Sequence, residues 1–476
     1  MKMKLLCFIL FSVVAMAEGA RVLYESSVDI SVTDTYTTSV KKRVGLSTLN
    51  YGDSDKRRSE GFVPFKTVMQ DMKPGFLRFP GGIEASSYLW ATAPSWEPSS
   101  HAPAFKSNNR WPNSIADIVI NGTFVDAVNF DEFMDIANSV DAEVSIVINF
   151  DSMYASDGPS KDLLIETAVR WVRYCKEKGY KNVKYWEIGN ETDMKSSYNG
   201  MTNNATLYGN DAKDFILAMK AEDPSILVGT NGFHEDFVMN TLNIVGEYID
   251  FFVIHEYPLY NFVDGYANFS NGDGFYCGKY KQANNALDVS SISQERKDKI
   301  FFLVTETSVI DWNDGWTGND VGHALAMFEL IGRLMSTERV HGSLIWTTHW
   351  VDKSITKENE IYNILSDTNG YNPIAYGILP WSLSGDGKMI QVEYVSKEIS
   401  TYALDNGNET IVMMMNKMDH PVSIKLSLPS QKSVSRSYTF YGDTIVSNTL
   451  ATEELPLEIP TVLKKLSITV VTFKNQ

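Results

Sequence analysis

A chain of 476 residues, 43% hydrophobic and 12% aromatic, has the material for one large core and room for a second, smaller domain. With 42 basic against 59 acidic residues, its formal charge of −17 argues against nucleic acid and anionic membrane surfaces as partners, since both need basic stripes. The same sign disfavours a highly sulfated or uronic polymer as substrate unless a local basic cleft reverses it.

Residues 1–17 carry Lys2 and Lys4, the apolar run Leu5 to Val14, then Ala15-Met16-Ala17. This is the layout of a cleavable secretory leader, so the mature chain is expected to begin near Glu18 and to be secreted or periplasmic. No later apolar stretch reaches membrane-spanning length, and no membrane anchor is expected. Arg21 to Lys42 alternates Val, Ile, Thr and Tyr without a following helix, which assigns it to a sheet outside the main repeat.

From Arg43 the pattern becomes apolar strand, polar loop, amphipathic helix. The predicted strands are Val44 to Leu49, Phe76 to Phe79, Val144 to Phe150, Val183 to Ile188, Ile226 to Thr230, Phe251 to His255, Ile300 to Thr305 and Ser343 to Thr347. Helical patterns such as Phe130 to Val140, Leu163 to Lys178, Ala212 to Glu222 and Val321 to Thr337 lie between them. Eight such units predict an α/β fold, a (β/α)8 barrel over residues 43–372. A doubly wound sheet is disfavoured because no Gly-rich phosphate turn follows the first strand.

After Asn372-Pro373 short alternating strands take over, including Thr410 to Asn416, Val422 to Leu428 and Leu466 to Phe473. Residues 373–476 and 18–42 are together expected to form a β-sandwich built from both chain ends. Cys175 and Cys277 could form a disulfide in a secreted chain but read rather as one buried thiol and one loop thiol, and no CxxC or His/Cys cluster suggests zinc, so no metal or cofactor is expected. The sequons at Asn121, Asn204, Asn268 and Asn408 could carry glycans, whereas a glycan at Asn190 would block the site proposed below.

Chemistry concentrates at strand ends. Tyr185-Trp186-Glu187-Ile188-Gly189-Asn190-Glu191 is a buried strand that ends on an amide and a carboxylate, and Ile300 to Glu306 is another apolar run closed by a carboxylate. In parallel α/β folds ligands bind at the C-terminal strand edge, where two such acids can face each other across a cleft as in glycoside hydrolysis. Arg78, closing the second strand, is suited to hold Glu306 ionised, while Asn149 and Asn190 offer donors and acceptors to sugar hydroxyls. His255 and Tyr257 close the sixth strand, and Tyr257 can orient a nucleophilic carboxylate. Trp346 ends the eighth strand as a platform for a sugar ring. Tyr88, Trp90, Trp96, Trp111, Tyr260, Tyr266 and Tyr276 add loop aromatics, with His349 and Trp350 beyond the eighth strand. Arg78 should lower the pKa of Glu306, and the charge of Glu306 in an apolar surround should raise that of Glu191.

At Leu77-Arg-Phe-Pro-Gly-Gly, Trp186-Glu-Ile-Gly-Asn-Glu, His255-Glu-Tyr and Val304-Thr-Glu-Thr the chain resembles the clan A retaining glycoside hydrolases. It is most similar to the α-L-arabinofuranosidases (family 51-like), with heparanase-like glucuronidases and agarase-type enzymes as neighbours. The resemblance implies a double displacement in which Glu191 is acid then base and Glu306 is nucleophile. Asn190 would bind the hydroxyl next to the anomeric carbon, and Arg78 and Tyr257 would steady Glu306. It also implies a carbohydrate as the partner, with a β-sandwich beside the barrel. An endo-acting hydrolase of agarase, porphyranase or glucuronidase type is a second reading, and an inactive carbohydrate-binding protein on the same fold a third. The long loops Ile83 to Asn129 and Pro258 to Lys299 depart from the pattern and leave the sugar open.

Overall fold

The computed structural model of the chain describes residues 27–103, 119–155, 157–194, 204–258, 266–270, 278–310, 316, 318–349 and 363–475. The expected leader, Cys277, Trp111, Tyr260, Tyr276 and Trp350 lie outside the described residues. No helix among the described residues is long and apolar enough to cross a membrane.

The eight predicted runs become Arg43–Ser47, Phe76–Phe79, Glu143–Ile148, Val183–Ile188, Leu227–Asn231, Phe251–Glu256, Phe301–Thr307 and Val340–Ile345. They pair in parallel in that order, and the eighth strand pairs with the first to close a barrel. Closure explains their unbroken apolar character, because the inner face fills the barrel and the outer face meets helices. Among those helices, Ala205–Glu222 begins seven residues before the predicted Ala212, since the Asn204 side chain accepts from the Leu207 amide and caps it there.

A helix that the sequence pattern did not suggest lies past residue 372. Helix Ala375–Ser384 follows the eighth strand and packs on helix Val321–Met335, with the Trp381 indole donating to the Phe328 carbonyl at 3.2 Å. Burial on nearly every face removes the apolar stripe that marks a helix in sequence, and Pro380 inside it disguises it further. A Cβ on Gly377 would stand 2.2 Å from the Ala324 carbonyl oxygen, so only glycine permits this close approach.

The accessory domain is one curled nine-stranded sheet rather than two separate ones. Its order is Ala451–Glu454, Val434–Tyr441, Ser467–Lys474, Glu409–Asn416, Ile399–Asp405, Lys388–Glu393, Val28–Tyr36, Val422–Ser427 and Val462–Leu463. The N-terminal strand runs antiparallel to Lys388–Glu393 and parallel to Val422–Ser427, which ties the two chain ends together. Strand alternation sorts its residues between two cores. Ile411, Met413 and Met415 join the core that also fills the barrel surround, while Val412 and Met414 pack with Ile30 and Val32 inside the curl.

Candidate active site

Arg78, at the end of the second strand, has no exposed side-chain surface. Its Nε donates to both oxygens of Glu187 at 3.2 and 3.1 Å, its Nη1 to Glu306 Oε1 at 2.7 Å, and its Nη2 to Asn190 Oδ1 at 2.7 Å. Glu187 is also fully buried and takes the hydroxyls of Ser145 at 2.7 Å and Thr305 at 3.2 Å. One guanidinium therefore links the second, fourth and seventh strands across the barrel mouth, in the fork geometry that suits carboxylates.

After the fourth strand the backbone turns sharply. Gly189 has φ 78°, and a Cβ there would meet Thr192 Oγ1 at 2.8 Å. Glu191 itself adopts φ 46°, a left-handed conformation that costs a non-glycine residue about 1–3 kcal/mol and needs its surroundings to hold it. The Thr192 amide donates to Asn231 Oδ1 at 2.9 Å, and the buried Asp193 accepts from the Phe233 and His234 amides at 2.8 and 2.9 Å. Clamped this way, Glu191 keeps 29% of its side chain exposed, whereas Glu306 keeps 7%.

His255 Nδ1 stands 2.8 Å from Glu191 Oε1 and 3.4 Å from Glu306 Oε2. This nitrogen and one oxygen from each carboxylate all lie within 4.8 Å of one another. The Tyr257 hydroxyl donates to Glu306 Oε2 at 3.0 Å. A Cβ on Gly82 would stand 2.8 Å from both Glu306 Oε1 and the Trp346 ring, so glycine lets the backbone form the floor beside the acid. Trp346 joins Leu49 and Ile310 in a small apolar wall against which Tyr257 packs.

The titration order of the free protein reverses the sequence expectation. Burial pushes Glu191 up, but the hydrogen bond and charge of His255, with the charge of Arg78, hold it below the ordinary glutamate range. Burial raises Glu306 above that range against the pull of His255 and Arg78, with the charge of Glu191 adding to the rise. Burial pulls His255 down, yet the Glu306 and Glu191 charges lift it above an ordinary histidine. Sequence could not show that the imidazole stands between the two acids.

Comparison with known proteins bears on this arrangement. Residues 68–273, which span the second strand, the Asn190-Glu191 turn and the sixth strand, match the family model of the α-L-arabinofuranosidase 1 domain. The chain resembles the α-L-arabinofuranosidases of glycoside hydrolase clan A. An intracellular exo-α-(1→5)-L-arabinofuranosidase of Halalkalibacterium halodurans is 27% identical over 212 residues, which is 40% of this chain and 38% of that protein. The match thus covers about two fifths of the curated relative. The α-L-arabinofuranosidase of Thermotoga maritima, solved with arabinose, shares the fold at TM-score 0.65 and 16% identity, over 94% of this chain and all of that one. A family 51 α-L-arabinofuranosidase of Bifidobacterium longum gives TM-score 0.66 at 14% identity over the same shares. A family 30 xylanase of Clostridium acetobutylicum gives 0.59 at 14%, again covering 94% of this chain and all of that one.

In this arabinofuranosidase-like chain, Arg78, Asn190, Glu191, His255, Tyr257, Glu306 and Trp346 meet at one end of the barrel. Asn149 is tied between loops, its Nδ2 donating to the Tyr88 carbonyl at 3.1 Å and its Oδ1 accepting from Ser152 at 2.5 Å. Tyr88 and Trp90 are core residues, with Trp90 stacked on Trp171 at 5.7 Å, and are not exposed to sugar. Tyr266 donates to the Lys417 carbonyl of the curled sheet at 2.6 Å. His349 pairs with Asp53 at 2.6 Å in a buried contact. Glu191, His255 and Glu306 are also close enough to hold a cation, but Arg78 and Tyr257 already engage the two oxygens of Glu306.

Sequence reasoning missed Glu187, Asp193, Asp151 and Glu84. For Glu187 a signal existed, since a lone acid inside an apolar strand needs a buried cation and Arg78 was the matching lone base. Asp151 sits in the turn after the third strand, accepts from Ser86 Oγ at 3.3 Å and takes the Asn190 amide, yet its Oδ1 has no partner among the described residues. Burial pushes its pKa to about 7, with the charge of Asp193 assisting. Because this folded-state pKa lies above the unfolded one, Asp151 contributes stability that is complete below about pH 4 and lost as pH rises through about 7. Asp151→Asn should therefore be more stable than the parent above pH 7, by an amount on the order of a few kcal/mol, and should lose that advantage near pH 4. Urea midpoints across this range measure it, and a pH-independent difference would contradict the assignment.

Proposed function

We propose that this protein is a secreted retaining glycoside hydrolase that acts on α-L-arabinofuranosyl linkages, with Glu191 as acid then base and Glu306 as nucleophile. The observation that carries the reading is the approach of one oxygen of each acid within 4.8 Å. Retaining pairs stand about 5–5.5 Å apart, whereas inverting pairs need about 6.5–9.5 Å to admit a water between them. The match to the arabinofuranosidase 1 domain supports the sugar.

In the protonation state that reacts, the proton shared by the set is on Glu191 and Glu306 is ionised. Glu306, steadied by Arg78 and Tyr257, forms a bond to the anomeric carbon as the glycosidic bond breaks and Glu191 passes its proton to the leaving oxygen. A water then gives its proton to Glu191 and attacks the same carbon, which releases Glu306. Arg78 holds Asn190 by its oxygen, so the Nδ2 end is the one left to meet the hydroxyl beside the anomeric carbon. Because Glu191, His255 and Glu306 share their protons, activity follows apparent values that belong to the set rather than to one residue.

Export is inferred from Lys2, Lys4, the Leu5 to Val14 run and Ala15-Met16-Ala17. The Halalkalibacterium halodurans relative is named as intracellular, so location does not carry over from it. N-terminal sequencing of protein recovered from the medium or periplasm should begin near Glu18, and a cytosolic chain that retains its leader would sink the inference.

The roles of the two acids separate in variants. Glu306→Ala should abolish turnover of aryl arabinofuranosides, and azide should restore part of it through a glycosyl azide of inverted configuration. Glu191→Ala should spare substrates with good leaving groups and give the retained azide. Identical responses of both variants to leaving-group acidity would refute the assignment. In His255→Gln the bond and charge that hold Glu191 down are gone while its burial stays, so its pKa rises. Because His255 also holds Glu306 down, both limbs of the kcat/KM profile should move to higher pH, and a profile that stays or moves to lower pH contradicts this electrostatic role.

A further inference from the structure

Backbone pairing between the fourth and fifth strands ends at Ile188 opposite Thr230, and the next residue of the fifth strand, Asn231, is buried. Its side-chain amide takes over where the ladder stops. Nδ2 donates to the Ile188 carbonyl at 2.8 Å, and Oδ1 accepts from the Thr192 amide at 2.9 Å. Those two backbone groups flank Gly189, Asn190 and Glu191, so one side chain fastens both ends of the turn that carries the acid.

The amide has a single workable orientation. Reversed, it would set its oxygen against the Ile188 carbonyl and its NH2 against the Thr192 N–H. Tyr208, fully buried on helix Ala205–Glu222, enforces the same orientation. Its hydroxyl donates to the Ile188 carbonyl at 2.7 Å and accepts from the Asn231 backbone amide at 3.1 Å and from Asn231 Nδ2 at 3.0 Å. The Tyr208 ring is held in turn by Phe237, stacked at 5.5 Å, and by Phe150, edge-on at 5.2 Å.

The turn needs such holding. With Gly189 at φ 78° and Glu191 at φ 46°, a glutamate released from its neighbours would return to an extended or right-handed conformation. That change would carry its carboxyl away from His255 Nδ1, which now stands 2.8 Å from it. Asp193 fastens the turn from the other direction, through the Phe233 and His234 amides, so loss of Asn231 would loosen the turn without detaching it.

We propose that Asn231, with the Tyr208 hydroxyl, is a positioning residue for the acid/base, holding the Gly189–Glu191 turn in the conformation that aims Glu191 at the leaving-group oxygen. This role rests on the glycosidase reading above and adds to it a residue that acts through Glu191. Proton transfer by a well-placed general acid contributes about a hundredfold to about ten-thousandfold in rate, and a displacement of about 1 Å can cost about a hundredfold.

The test uses the 2,4-dinitrophenyl, 4-nitrophenyl and phenyl α-L-arabinofuranosides, whose leaving groups need progressively more protonation, with the full-length protein, Asn231→Ala, Tyr208→Phe and Glu191→Ala. Asn231→Ala should lower kcat/KM about a hundredfold on the phenyl glycoside and less than about threefold on the dinitrophenyl one. Equal losses on all three, the mark of a merely structural role, or no loss on any, overturn the proposal. Should Asn231→Ala not fold, Tyr208→Phe keeps the ring packed and decides: a steeper dependence on leaving-group acidity than the wild type supports the proposal, and an unchanged dependence overturns it. Glu191→Ala tells the two failures apart. If it steepens the dependence and the other variants do not, Glu191 keeps its role and Asn231 loses the one assigned to it; if Glu191→Ala leaves the dependence unchanged, both assignments fall. A wild type that ignores arabinofuranosides but cleaves another aryl glycoside overturns the sugar, and the same leaving-group series in that glycoside decides Asn231.

Discussion

The buried guanidinium of Arg78 is the group on which the site depends. A cation with no access to water must be fully paired, and Arg78 achieves this by drawing Glu187, Glu306 and Asn190 from two other strands onto one plane. The arrangement binds both ways: Glu187 and Glu306 meet the guanidinium from two strands, at 3.0 and 2.7 Å. Removing one partner from such a pair typically costs about 3–5 kcal/mol, because the charge left behind cannot reach solvent. The same contacts set the aim of Glu306 and Asn190, so packing of the barrel end and placement of the reacting groups are one constraint.

Arg78 alone does not balance the acids around it. Glu84, Asp151, Glu191 and Glu256 are all largely buried at or beside the same strand ends, and the protein limits their charge in different ways. Burial pushes Asp151 and Glu256 to about 7, so neither need be ionised at neutral pH. Glu191 remains ionisable because the lifted imidazole of His255 lies against it. Placing a titratable group between two catalytic-type acids makes the proton of the site mobile, which a reaction that alternately donates and withdraws one proton requires.

The curled sheet contributes more than bulk. Lys42, where the chain leaves the sheet for the barrel, is buried and donates to the carbonyls of Thr337 at 2.9 Å, Glu338 at 2.6 Å and Val340, and burial lowers its pKa to about 8. On helix Val321–Met335, the buried Glu329 meets Lys417 of the sheet at 3.5 Å and accepts from Ser400 at 3.0 Å. Tyr266, on a short helix beyond the sixth strand, is tied to the same Lys417 through its carbonyl. A segment that follows the sixth strand is therefore held by the accessory sheet, a physical reason for the two units to share one core.

Much of this was legible in the residues themselves. Eight apolar runs separated by amphipathic helices point to a closed parallel barrel, because strands covered on both faces must be apolar throughout. Acids and amides at the ends of those runs, as at Asn190, Glu191 and Glu306, mark the functional edge. Periodicity cannot reveal a helix buried on all sides, which is why Ala375–Ser384 was hidden, nor does residue type show that an amide ties two loops together, as that of Asn149 does. Pairing was settled by tertiary structure alone: which acids Arg78 engages, and that His255 stands between Glu191 and Glu306. A pKa depends on distances between groups far apart in the chain, and those distances exist only once the barrel has closed.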